Sequence, residues 1–226
     1  MPSLSELRKP TRRRAIMSWI PISIVALICV GIALGAVAMQ NSWWTQANPD
    51  PSADQQAPDG TSMFDTAGVD YFTRDGVVRI KIRSDGLDAS ELGLDADGTE
   101  TFEPRVPVKA IALGGDGAFY LDLVDSFTLT TAEDRVQSIE LVPDGPGTWQ
   151  SVSSQLQQVG AEWGWTQDQL DQLQTDLGTA AQADDAAGYS AQLPQIESRG
   201  ALVSANVVVD TDSSAVGLSF TISARP

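Results

Sequence analysis

Hydrophobic and polar positions follow three distinct patterns along the chain. From Ala15 to Met39 the run AIMSWIPISIVALICVGIALGAVAM contains no charged side chain. A hydrocarbon core of about 30 Å needs roughly 20 helical residues. A single span must be helical, because every backbone polar group in the bilayer has to be satisfied internally. The pattern therefore predicts a transmembrane helix over 15–39, with Pro21 near its start, where little of the hydrogen-bond ladder is lost.

The second pattern is strict alternation. Val78, Ile80 and Ile82 alternate with Arg79, Lys81 and Arg83, the signature of a strand with one core face. Further strands are predicted over 105–113, 118–124 and 136–142. Pro107 favours an edge or a bulge for the first of these. A closing hairpin joins 201–209 to 215–223 through the turn DTDSS. The third pattern is helical: Trp149, Val152, Leu156, Val159 and Trp163 make one apolar stripe that ends near Gly160 and Gly164. A second helix is predicted from Thr166, where Thr166 and Gln169 form a capping box, to about Ala181, with Leu170, Leu173 and Leu177 on its apolar face. Residues 183–199 read as loop.

Strands and helices in separate runs predict an α+β fold, an antiparallel sheet with two amphipathic helices packed on one face. The predicted organisation is a basic tail over 1–14, the anchor helix over 15–39, a Pro/Asp-rich stalk over 40–62 and a folded domain over 63–226. The stalk reading rests on TQANPDPSADQQAPDGTS, which holds three prolines and no large apolar side chain.

Charge sets the orientation. Arg8, Lys9, Arg12, Arg13 and Arg14 precede the apolar run against one acid, Glu6, so the N-terminus is expected in the cytoplasm and the domain outside the cell. Trp19, Trp43 and Trp44 suit the two interfaces. Ala36-Val37-Ala38 imitates a signal-peptidase site, and cleavage there would give a secreted protein. The apolar run, however, is longer than the roughly 7–15 residues of a signal peptide. Within the span, Gly31 and Gly35 form a G-x-x-x-G, a candidate face for a homodimer. The remaining expected partners are membrane lipid, through 15–39, and another membrane or cell-surface protein.

Composition then removes whole classes of chemistry. The chain has no histidine, and its one cysteine, Cys29, lies in the apolar run. Disulfide frameworks, Cys/His zinc sites and imidazole-based triads are therefore excluded from the domain. Beyond residue 14 there are nine basic and twenty-nine acidic residues, a net charge of −20. That field repels nucleic acid, and no nucleic-acid partner is expected. Arginine outnumbers lysine eleven to three, a usage typical of high-GC bacteria.

Two clusters remain as candidate sites. Asp95, Asp97, Glu100 and Glu103 offer hard oxygen ligands of the kind calcium takes, and Asp95-Ala96-Asp97-Gly98 resembles the middle of an EF-hand loop. The register places Gly93 and Pro104 where the outer acidic ligands belong, so a solvated acidic loop is the competing reading. Arg79, Lys81, Arg83, Arg105 and Lys109 would form a patch for an anionic ligand if their strands pair; the competing reading is cross-strand pairing with Asp122 and Glu140. No cofactor and no catalytic residue is indicated. The expectation is a single-pass anchored, non-enzymatic binding or protein-interaction module at the cell surface. The alternative is an exported cell-wall hydrolase using paired carboxylates.

Overall fold

The structure, a computed structural model, describes residues 24–33, 35, 50–82, 86–145, 147–182 and 188–225. The chain divides into two compact units, Met1–Asp50 and Pro51–Pro226. In the first, residues 24–33 are helical. The tail 1–14 and most of the predicted span lie outside the described residues, and among those described no helix is long and apolar enough to cross a membrane.

The second unit is a mixed α+β fold built on one eight-stranded, mostly antiparallel sheet. Its elements are α1 (Thr66–Asp75), β1 (Val77–Lys81), a 3₁₀ turn (Ser90–Leu92), β2 (Gly98–Phe102), β3 (Val108–Leu113), β4 (Ala118–Ala132) and β5 (Arg135–Pro143). There follow α2 (Trp149–Trp163), α3 (Gln167–Ala180), β6 (Gly188–Ser198), β7 (Ala201–Asp210) and β8 (Val216–Ser223). The strand order is β1-β3-β4-β5-β8-β7-β6, with β2 also paired to β4. The sheet is not wholly antiparallel as predicted, because β1 and β3 run parallel. The chain between them makes a detour through β2, which pairs with the far half of β4.

Strand β4 shapes the domain. The row Phe127↔Leu141↔Phe220 puts three directly opposed side chains on one face of the sheet. Phe119 lies eight residues before Phe127, which on a straight strand would be about 26 Å away. Yet Trp163 touches both Phe119, at 5.3 Å between ring centroids, and Phe220, at 5.1 Å. Strand β4 must therefore bend, so that its first half, with β1 and β3, folds over the rest. The bend lies where the register slips between Val124 and Ser126 and where Leu123 takes a positive φ of 57°, as β-bulges bend strands.

The closed arrangement is held at the turns. Between β3 and β4, Gly115 and Asp116 donate their N–H groups to Gly200 O (3.4 Å) and Arg199 O (3.0 Å) of the β6–β7 turn. Gly200 has φ 76°, and a Cβ there would lie 2.6 Å from Asp116 N, so this contact requires glycine. The Arg199 guanidinium donates to Ala118 O and to Glu162 O at the end of α2 (2.9 Å), and lies 5.6 Å from the Phe119 ring. A cation there also suits the helix C-terminus.

Two aromatic clusters fill the interior. Trp163, Trp165, Phe119 and Phe220 form one. Phe64, Phe72, Phe102 and Phe127 form the other, with α1 contributing Phe72. The predicted capping box is present: Thr166 N donates to Gln169 Oε1 (2.8 Å), and Gln169 N to Thr166 Oγ1 (3.3 Å). Gly164 caps α2 at φ 106°, its N–H bonded to Gly160 O.

Several predicted boundaries change. Residues 51–62, read as stalk, fold against the domain. Ala57, Thr61 and Ser62 are buried, Ser62 N donates to Arg79 O, and Asp59 bonds Lys81 and turns the chain by accepting from Thr61 N. These bonds also cover the outer edge of β1. Residues 188–198, read as loop, are the edge strand β6, and Pro194 is accommodated at the register slip between Leu193 and Ile196. Strand β4 continues through 125–132, β2 lies inside the acidic loop, and α1 was not predicted.

Replacing Trp163, which is fully buried between the two halves of the sheet, by alanine is expected to cost about 3–5 kcal/mol in urea unfolding. A loss below about 1 kcal/mol would contradict the bent-strand core.

Candidate functional site

The two charged clusters meet different fates in the fold. Register Val77↔Lys109, Arg79↔Ile111 and Lys81↔Leu113 puts Arg79, Lys81 and Lys109 on the face of the sheet opposite the core. Each has a carboxylate partner: Asp75 at 3.7 Å from Arg79, Asp59 at 2.6 Å from Lys81 and Asp122 at 3.0 Å from Lys109. Lys109 also lies over the Tyr120 ring. Of the two carboxylates expected as partners, Asp122 fills the role, whereas Glu140 stands across from Thr128 and Thr221. Arg83 lies outside the described residues. Arg105 does not join the strand face; it sits after β2 and lines a cavity against α1.

The four acids of the calcium hypothesis are dispersed. Asp97 Oδ1 accepts from Glu133 N (2.8 Å) in the β4–β5 turn, whose residues Glu133 and Asp134 both have positive φ. Asp95 contributes its backbone carbonyl to Thr131 Oγ1 (2.7 Å). Glu100 lies exposed on β2, and Glu103 lies beyond β2 at the α1 cavity. Among the described residues no group of three or more acids is placed to hold a metal ion. The acidic loop instead docks on the β4–β5 turn: Asp134 takes both the N–H and the hydroxyl of Ser90, and Arg135 bonds Asp88 (2.8 Å) and Gly86 O.

Gly31 and Gly35 fall on the described part of the first unit. A Cβ added at either would meet nothing within 4 Å among the described residues.

A different site emerges from the arginines. Among the described basic residues of the second unit, Arg79, Lys81, Lys109, Arg135, Arg199 and Arg225 each have a carboxylate within ion-pair distance. Arg74 and Arg105 have none, and they line the same cavity of about 380 Å³. Val69, Phe72 and Phe102 also border it, Phe72 and Phe102 almost fully buried and meeting edge-on with ring centroids 6.4 Å apart. Asp70 and Glu103 stand on the same rim.

Helix α1 positions Arg74. Asp65 accepts from Gly68 N at the N-cap (2.8 Å), and Gly76 ends the helix at φ 74°. Gly68 lets the first turn lie directly on the backbone of Met63, where a Cβ would collide. Arg74, in the last turn, lies 5.9 Å from the Tyr71 ring and suits the helix dipole. Arg105 has no comparable local role. The caps Asp65 and Gly76 and the spacing of Val69 and Phe72 were the sequence signals for α1, and hence for Arg74 as a neighbour of Arg105. A second cavity of similar size, lined by Arg135, Arg225 and Gly200, offers no free charge, because Arg135 is tied to Asp88 and Arg225 to Asp116 and Glu197. Comparison with protein-family models, curated proteins and solved structures finds no match for this chain.

Asp59, which the sequence placed in the stalk, is a working part of the fold. Burial pushes its pKa up, but hydrogen bonds from Lys81 and Thr61 and the Lys81 charge outweigh it, so the carboxyl sits below its ordinary 3.8. A depressed folded-state pKa gives stability that is complete above the ordinary carboxyl value and is lost as pH falls through the folded value. Asp59→Asn is expected to cost about 1 kcal/mol at pH 7, with the gap from the native chain closing as pH falls below the ordinary carboxyl value and through the lowered folded one. A gap that does not change with pH would contradict this role.

Proposed function

We propose that the protein is a single-pass membrane-anchored binding module, with its N-terminus in the cytoplasm and the unit Pro51–Pro226 outside the cell. The anchor reading is supported by the charge-free run 15–39 behind three arginines. It is supported also by the helical residues 24–33, where Ile24, Val25, Leu27, Ile28, Val30 and Ile32 are all more than half exposed. Water does not tolerate such an apolar surface around a helix, whereas lipid does. The G-x-x-x-G of Gly31 and Gly35 is then a lipid-facing stripe on which a second copy could pack.

The binding reading is carried by one observation: the two described arginines of the unit without carboxylate partners line one cavity beside α1. In a domain with a large excess of acids, a guanidinium readily finds a partner. Leaving two unpaired in one concavity leaves hydrogen-bond donors free to orient a ligand there. The bound molecule is contributed by the cell exterior, the membrane or another surface protein.

Protease added to intact cells should degrade the unit 51–226 and leave a membrane-held fragment; full protection would contradict the orientation. A photo-crosslinking amino acid at Thr73, on the cavity wall, should give a discrete adduct in intact cells. The same group at Ser219, on the outward side of β8, should not. Equal labelling at both positions, or none at Thr73, would contradict the assignment of the site.

A further inference from the structure

We draw no further inference here: the strongest candidate, the apolar depression of about 200 Å³ that Trp149, Leu177, Tyr189, Val209 and Val216 line between the last turns of α3 and the ends of β6, β7 and β8, carries nothing because nothing in the structure shows what covers it.

Discussion

Contact of one indole with two distant parts of one sheet is the constraint on which the domain depends. Trp163 can touch Phe119 and Phe220 together only if β4 bends. The bend in turn requires the bulge at Leu123 and the meeting of the β3–β4 and β6–β7 turns at Gly200. Arg199 secures the same corner from outside by bonding Ala118 O and the end of α2. The Trp163 Nε1 group is buried without a hydrogen-bond partner, while Trp165 Nε1 reaches Pro194 O. Burying an unpaired N–H costs about 1–3 kcal/mol, so packing rather than hydrogen bonding keeps Trp163 in place.

With the sheet closed in this way, its long second half is free to carry other elements. Strand β2 adds to β4 beyond the bend, and Phe102 at its end stacks on Phe127 with ring centroids 5.1 Å apart. Helix α1 lies on that pair through Phe72, and the chain leaving β2 passes α1 at Glu103, Pro104 and Arg105. The cavity is thus a consequence of where β2 ends. Its electrostatics follow from local pairing elsewhere: exposed ion pairs contribute roughly 0–1 kcal/mol each to stability, but together they neutralise the other described basic side chains of the unit. What they leave are two guanidinium groups without ion-pair partners, Arg74 and Arg105, in one cavity that also carries Asp70 and Glu103.

The sequence was legible where a pattern was long and uninterrupted. The alternation of Val78, Ile80 and Ile82, the stripe from Trp149 to Trp163 and the capping box at Thr166 all correspond to elements of the fold. It was illegible where one residue hid a pattern. Pro194 interrupts the alternation of Tyr189, Ala191, Leu193 and Ile196, and only an edge strand could absorb it. Gly68 and two threonines mask the helical character of α1, although its docking on Met63 needs that glycine. Residues 51–62 have the composition of a linker, and their order comes from tertiary bonds to β1 that no local pattern shows. For the site, Arg105 and Glu103 were singled out as chemistry-bearing residues. Their true neighbours Arg74 and Asp70 were missed, because which charges meet depends on strand register and on α1.

The central claim is that Arg74 and Arg105 are held free at a binding cavity while the other described arginines of the unit are engaged. Phenylglyoxal labelling of the full chain, with modified sites mapped by peptide mass, measures this directly. Arg74 and Arg105 should be modified well before Arg135 and Arg199, whose guanidinium groups are bonded to carboxylates and backbone carbonyls. Modification of Arg135 or Arg199 as fast as Arg74 and Arg105 would contradict the account.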